Sequence, residues 1–177
     1  MALPRIFTIG HSTRAIEAFV EMLQAHGVKC LVDVRTVPRS RHNPQFNRDT
    51  LPATLKQAGI AYAHMEALGG LRHARKDSIN SGWRNASFRG YADYMQTPAF
   101  EAGLDDLIRI ASRAETAIMC AEAVPWRCHR SMIADALTVR GYTVEDIMSL
   151  TKTQPHSLTP FAQVEGTQIT YPFREAV

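Results

Sequence analysis

The stretch AIMCAEAVPWRCHR, residues 117–130, holds a dense group of reactive side chains, and we interpret the rest of the chain as arranged around it. It begins with the short apolar run Ala117-Ile118-Met119, which predicts a buried strand. Reactive side chains follow at once, and an apolar helical pattern then begins at Met132. Because ligands bind beyond the carboxyl ends of strands in open α/β sheets, we interpret this junction as a candidate site.

The segments before this stretch alternate between strand and helix patterns. Arg5–Gly10 predicts a first strand, and an apolar stripe from Ile16 predicts the helix after it. Residues 28–35 predict a second strand, 51–59 a short helix and 60–65 a third strand. The alternation indicates successive βα units.

The remaining segments are less uniform. Residues 66–88 are basic and without period, which is typical of a functional loop, and 91–95 indicate at most one helical turn. Thr97-Pro98 supplies a helix start, and 143–148 predict a fifth strand. In the tail from residue 151, only 168–171 resemble a strand.

This order predicts one α/β domain over residues 1–177, with a core at 5–150 and an irregular tail at 151–177. We expect a mostly parallel open sheet of about five strands with right-handed crossovers and helices on both faces. That is the doubly wound, Rossmann-like or flavodoxin-like arrangement.

Composition excludes several classes of protein. No apolar run approaches the roughly 20 residues that span a membrane, so we expect no membrane partner. The three cysteines are too few for a disulfide framework, which favours the reducing cytoplasm. The net charge of +3 permits an anionic ligand without requiring one.

Three polar clusters are predicted to meet at one edge of the sheet, because each follows a strand. They are His11-Ser12 after the first strand, Asp33 and Arg35 with Arg39-Ser40 after the second, and Cys120, Glu122 and 127–130 after the fourth. This convergence follows from topology and is the main argument for a site.

Five short motifs in order resemble the family known as domain of unknown function 488. They are Ile9-Gly10-His11-Ser12, Val32-Asp33-Val34-Arg35 with Pro38-Arg39-Ser40, Leu68-Gly69-Gly70, Phe88-Arg89-Gly90-Tyr91, and Cys120-Ala121-Glu122 with Cys128-His129-Arg130. The similarity runs from about residue 6 to 150. It implies a compact α/β domain of prokaryotic, bacterial type, and no particular reaction.

We predict an enzyme that acts on an anionic, phosphate-bearing ligand, either a nucleotide or nucleic acid. The candidate catalytic residues are Cys120, Glu122 and His129. The candidate ligand-binding residues are His11, Ser12, Asp33, Arg35, Arg39, Ser40, Arg127, Cys128 and Arg130. Arginine forks suit phosphate, and positive charge beside a thiol favours the thiolate.

Each reactive residue also has a structural interpretation. Cys120 is either a nucleophile or a packing residue, whereas Cys30 lies in an apolar strand and is expected to pack. Glu122 is either an acid–base group or an ion-pair partner, and His129 is either a base or a helix cap.

Two other functions compete with the enzyme. One is a noncatalytic module in which the same arginines bind a nucleotide or nucleic acid. The other is a zinc site formed by Cys120, Cys128, His129 and His11, but C-x7-C-H departs from usual zinc spacing, so we assign no metal ligand. The sequence specifies neither a cofactor nor an oligomeric state.

Overall fold

The computed structural model describes residues 4–173 of the chain. The helices are α1 (Ile16–Ala25), α2 (Leu51–Gln57), α3 (Ala86–Tyr94), α4 (Pro98–Ala111) and α5 (Arg130–Val139). The strands are β1 (Arg5–Gly10), β2 (Cys30–Asp33), β3 (Ala61–His64), β4 (Thr116–Cys120), β5 (Thr143–Ile147), β6 (Thr153–Pro155), β7 (Gln163–Glu165) and β8 (Gln168–Thr170). Short 3-10 turns occur at Pro44–Phe46, Glu66–Leu68 and Pro125–Arg127.

One six-stranded sheet organises the fold, in the order β3-β2-β4-β1-β5-β6. The first five strands run parallel, and β6 pairs antiparallel with β5. Strand β4 lies between β1 and β2, and all five of its residues are buried. A central strand covered on both faces is expected to be continuously apolar, as this one nearly is.

The helices cover both faces of the sheet. Phe19 of α1 and Leu55 of α2 belong to the core on one face, whereas Tyr91 of α3, Leu104 of α4 and Met132 of α5 belong to the other. The chain therefore leaves β1 and β2 toward one face and leaves β4 toward the opposite face. The carboxyl end of β4 is a topological switch point, where a crevice opens in sheets of this kind.

The predicted fold class is confirmed, with a doubly wound sheet and helices on both faces. The sheet has six strands where about five were expected, and the additional one is β6, which has only three residues and ends in Pro155. Such a strand is too short to show a period, and proline is tolerated in it because it lies at the sheet edge. The tail is also more regular than expected, since β7 and β8 form a hairpin.

Helix α3 was predicted only in part. It begins at Ala86, inside the segment expected to be a loop, and Asn85 caps it by accepting hydrogen bonds from the backbone N–H groups of Ser87 and Phe88 at 2.8 and 3.2 Å. Asparagine is a preferred N-cap residue, so this start was visible in the sequence. Position 90 requires glycine, since a side chain there would collide with the carbonyl oxygen of Arg72, and this glycine interrupts the helical pattern in the sequence.

Buried Asp135 of α5 fastens the tail to the core. Its carboxylate accepts hydrogen bonds from Nε2 of His156 at 2.7 Å, from the backbone and hydroxyl of Thr159 at 3.1 and 2.7 Å, and from the Tyr171 hydroxyl at 2.8 Å. The tail therefore belongs to the folded domain. Within residues 4–173, no helix combines the length and apolar character needed to cross a membrane.

We expect Asp135→Ala to lower the free energy of unfolding by about 3 kcal/mol, because it leaves several buried donors without an acceptor. Chemical denaturation measures the change. Asp106→Ala is the matched control, since its side chain is 56% exposed and pairs only with Arg109 nearby in α4. An equal loss in the two variants would contradict a role for Asp135 in holding the tail.

Candidate functional site

The end of β4 is held tightly against the end of β1. The backbone N–H groups of His11 and Ser12 donate to the carbonyl oxygens of Cys120 and Ala121 at 3.0 and 2.9 Å, which extends the pairing past both strands. A side chain at Gly10 would lie 1.6 Å from the carbonyl oxygen of Glu122. Only glycine permits this close approach, so Gly10 fixes the path of the chain that follows Cys120.

The second cysteine of the stretch lies where α5 begins. After the turn Pro125–Arg127, the Sγ atom of Cys128 accepts the backbone N–H of Arg130 at 3.5 Å and lies 3.5 Å from Nδ1 of His129. Cys120 and Cys128 are both buried, and each thiol shifts the pKa of the other. A pair of neighbouring thiols therefore occupies the switch point.

His129 is a neutral imidazole with one defined tautomer. Burial lowers its pKa to about 4. Its Nε2 lies 2.9 Å from the carbonyl oxygen of Val34, which can only accept, so Nε2 carries the proton. Nδ1 is then an acceptor facing the Cys128 thiol. The ring also packs on Tyr91 and leaves no space for a side chain at Gly70.

Arg130 is a buried cation beside these thiols. Arg130 is 1% exposed, and its Nη2 donates to the carbonyl oxygen of Ala123 at 3.2 Å. Nε and Nη1 are buried and have no hydrogen-bond partner among residues 4–173. A buried charge without a neutralising partner is costly, and such groups are found where function requires them.

The environment separates the two thiols in acidity. Burial raises the pKa of Cys120, but the hydrogen bond from Cys128, the charge of Arg130 and the backbone of Glu122 outweigh burial and bring the pKa below its usual value. Burial and the neighbouring Cys120 raise the pKa of Cys128 well above its usual value. Ionisation of the pair is therefore favoured at Cys120 over Cys128.

The second polar cluster is a buried ion pair. Arg35 donates from Nε and Nη2 to the two carboxylate oxygens of Asp33 at 2.9 and 2.7 Å, and Nη2 also donates to the carbonyl of Phe46 at 2.7 Å. The Tyr62 hydroxyl donates to Asp33 at 2.6 Å. Nη1 of Arg35 lies 3.4 Å from Nε2 of His11. Asp33 thus fixes the orientation of Arg35.

A pocket of about 340 Å³, here called the thiol pocket, opens over these groups. Seven predicted site residues line it: Arg35, Arg39, Cys120, Glu122, Arg127, Cys128 and His129. Glu122, Arg39 and Arg127 are exposed, whereas the thiols lie at the buried end. Cationic side chains therefore surround a pocket with a thiol pair in its floor.

The other five predicted residues lie outside the pocket wall. Asp33 and Arg130 are buried behind it, and His11, which is stacked on Phe46, has a pKa lowered by burial. Its Nδ1 donates to the carbonyl of Ser12, which itself has a left-handed backbone with φ of 50°. Ser40 organises the loop after β2. These residues shape the site without facing the pocket.

Seven further residues line the thiol pocket and were not predicted. They are Thr36, Val37, Gly70, Leu71, Ser87, Phe88 and Ala121. Four of them come from the segment interpreted as a loop and from the first turn of α3. The motifs containing Gly70 and Phe88 were the available signal, but no strand placed them at the sheet edge. Only packing against His129 and the end of β4 brings them there.

No group of three His, Cys, Asp or Glu side chains within residues 4–173 is arranged to hold a metal ion. If the thiol pair and His129 are considered as ligands, Nε2 of His129 is already bonded to the Val34 carbonyl. The side chains here are paired with protein groups instead of converging on one point.

Fold and site together define a doubly wound α/β protein with a thiol pair at a topological switch point. Residues 15–137, more than half of the chain, match the family model described as "Domain of unknown function DUF488". The chain belongs to this family, which confirms the predicted resemblance. Comparison with curated proteins and with solved structures finds no match.

Iodoacetamide at about pH 6.5 is expected to label Cys120 before Cys30, because a free cysteine with a pKa near 8.5 is mostly protonated there. Cys120 has a lowered pKa and lines the thiol pocket. Burial raises the pKa of Cys30, which makes that residue the internal control. Peptide mass spectrometry over a pH series measures both rates. Equal labelling of the two would make Cys120 a packing residue.

Arg130→Met tests the buried cation. We expect the free energy of unfolding of the variant to be about 1–3 kcal/mol larger, because methionine has a similar volume and removes a buried charge that has no ion-pair partner. The pKa of Cys120 should rise in the same variant, measured by ultraviolet titration of the thiolate. Arg109→Met, at an exposed position of α4, serves as control. A less stable variant with an unchanged thiolate titration would refute this account.

Proposed function

We propose that the chain is an enzyme that binds an anionic, phosphate-bearing ligand in the thiol pocket and uses Cys120 as its nucleophile. The carrying observation is the Cys120 thiol, whose pKa is lowered beside a buried guanidinium that has no carboxylate partner among residues 4–173. Thiolate character at neutral pH is the property that nucleophilic cysteines require. A packing cysteine needs no such cation.

Arginine side chains supply the binding half of the proposal. Arg39 and Arg127 are exposed at the pocket wall and can move onto a ligand. Arg35 is held in place by its ion pair with Asp33, and its Nη1 is not part of that ion pair. Guanidinium groups bind phosphate through parallel hydrogen bonds. Phe88 in the same wall offers a ring against which a nucleobase can stack, so a nucleotide or a nucleic acid end is the proposed ligand.

The chemistry follows from the roles of three residues. The Cys120 thiolate attacks an electrophilic atom of the ligand and forms a bond to sulfur, while the leaving group departs with its electron pair and takes a proton from solvent. Water then attacks the same atom, and the exposed Glu122 carboxylate accepts its proton and returns it to solvent. Cys120 leaves as the thiolate, stabilised by the hydrogen bond from Cys128. The net reaction is hydrolysis.

His129 acts in this scheme as a neutral acceptor. Its Nε2 donates to the Val34 carbonyl oxygen, and Nδ1 lies 3.5 Å from the Cys128 Sγ atom, so the ring packs against that thiol and holds it beside Cys120. We further propose that the reaction takes place in the cytoplasm, because a reducing compartment keeps the free cysteines as thiols.

A noncatalytic module that binds a nucleotide or nucleic acid is the second candidate. The observation that favours it is the apolar mouth of the thiol pocket, where Val37 and Leu71 are 58% and 72% exposed. Exposed apolar side chains beside arginines suit a surface that stacks bases. Turnover separates the two candidates.

The test is a screen of nucleotides and short oligonucleotides by calorimetry, followed by product analysis. Arg39→Ala and Arg127→Ala should each weaken binding of the anionic ligand by about 1.5–3 kcal/mol, the size of a charge-assisted hydrogen bond. Cys120→Ser should bind the ligand with similar affinity and lose turnover. The melting temperature should change little, since Arg39 and Arg127 are exposed.

Two controls sharpen this test. Arg109→Ala removes an equally exposed arginine that does not line the pocket, and Cys30→Ser removes the cysteine that lies elsewhere in the sheet. Turnover that survives Cys120→Ser would leave only the acid–base role of Glu122. Equal ligand affinities of the Arg39→Ala, Arg127→Ala and Arg109→Ala variants would contradict the proposal that the thiol pocket binds an anionic ligand.

A further inference from the structure

A second cavity lies on the other side of the turn Pro125–Arg127. It has a volume of about 310 Å³, and we call it the tryptophan cavity because Trp83 and Trp126, the two tryptophans of the chain, both line it together with Phe161. Trp126 is 61% exposed at its rim, whereas Trp83 packs edge-on against Phe161 with ring centres 4.9 Å apart. The wall thus combines three aromatic side chains with prolines and polar residues.

One carboxylate defines the charge of this cavity. Asp146 of β5 is 4% exposed, and its Oδ1 accepts the hydroxyl hydrogen of Thr8. Its Oδ2 receives no hydrogen bond from residues 4–173, although the side chain lines the cavity. No lysine or arginine of this described part of the chain is in the wall. A buried carboxylate with one oxygen that accepts no hydrogen bond from these residues therefore lines the same cavity as the three aromatic side chains.

The other titratable group in the wall is already engaged. Nε2 of His156 is bound to Asp135 at 2.7 Å, so this imidazole serves the contact that holds the tail. It provides no counter-charge for Asp146, with which it forms no ion pair. In a chain of net charge +3, this cavity is a local site of negative charge.

We propose that the tryptophan cavity binds a small organic cation, an alkylated ammonium group placed between the tryptophan rings and Asp146. Aromatic faces attract cations through their quadrupole, and the attraction is larger where water is excluded. A carboxylate lacking a protein counter-charge adds a Coulomb term that a neutral ligand does not experience. The volume is at the lower end for ligand sites, which fits a compact cation.

This site is distinct from the thiol pocket in chemistry as well as in place. Arg127 and Cys128 line the thiol pocket, whereas Pro125 and Trp126 line the tryptophan cavity, so the two lie on opposite sides of one turn. The first is surrounded by guanidinium groups and the second contains a carboxylate. The proposal for the cation therefore stands independently of the reaction proposed at Cys120.

Choline and its neutral isostere 3,3-dimethylbutan-1-ol are the probes for this proposal. Calorimetry and tryptophan fluorescence both report on the site, since every tryptophan lines it. We expect choline to bind at least about tenfold more tightly than the alcohol, and Asp146→Asn to remove that difference while leaving alcohol binding unchanged. Asparagine still accepts the Thr8 hydrogen bond, so the fold is preserved.

Trp126→Ala provides the second variant, at an exposed position where folding is not at risk. It should weaken choline binding about threefold to tenfold, with Trp83 remaining as the fluorescent reporter. Asp106→Asn, an exposed carboxylate on α4, is the matched control and should bind choline as the unmodified chain does. Equal affinity for choline and the alcohol, or choline affinity unchanged in both Asp146→Asn and Trp126→Ala, overturns the proposal.

Discussion

The buried guanidinium of Arg130 is the constraint on which the site depends. Transfer of a charge from water into a protein interior costs several kcal/mol unless an opposite charge or sufficient hydrogen bonds accompany it. Arg130 has one carbonyl contact and two nitrogen positions without a partner among residues 4–173. The neighbouring group that can become an anion is the Cys120 thiol, and its lowered pKa is the other side of the same interaction. The buried cation that lowers local stability is thus the group that favours ionisation of Cys120.

The surrounding framework makes that exchange possible. Strand β4 lies between β1 and β2, so the chain after Cys120 is fixed on two sides, and the absence of a side chain at Gly10 lets the Glu122 backbone lie directly over it. Helix α5 then starts ten residues after Cys120, at Arg130, whose charge acts on both thiols. A looser connection would let the guanidinium reach water, where its effect on the thiol would be small.

Most of the fold could be predicted from the sequence because the strands of a covered parallel sheet are short apolar runs separated by helical stripes. The edge at which polar residues gather also followed from topology. The separate role of each polar residue at that edge could not be predicted in this way. Asp33, Arg35 and Arg39 are equally polar in the sequence, yet Asp33 is fully buried and fixes Arg35, while Arg39 stays exposed. Which arginine a carboxylate neutralises depends on side-chain reach, and short-range patterns do not encode it.

The same limit explains the parts of the site that were missed. Gly70 and Phe88 come from a segment without periodicity. Gly70 reaches the thiol pocket because its backbone packs directly against the His129 ring, and Phe88 reaches it because Asn85 starts α3 earlier than expected. Asp146 ends no strand motif and has an ordinary sequence context, but the three-dimensional packing places it in a cavity that also holds three aromatic side chains and no lysine or arginine of residues 4–173. Features that depend on what is absent around a side chain, such as a missing counter-charge, are visible only after the fold is known. Arg130 and Asp146, two buried charges without an ion-pair partner among residues 4–173, are informative positions for that reason.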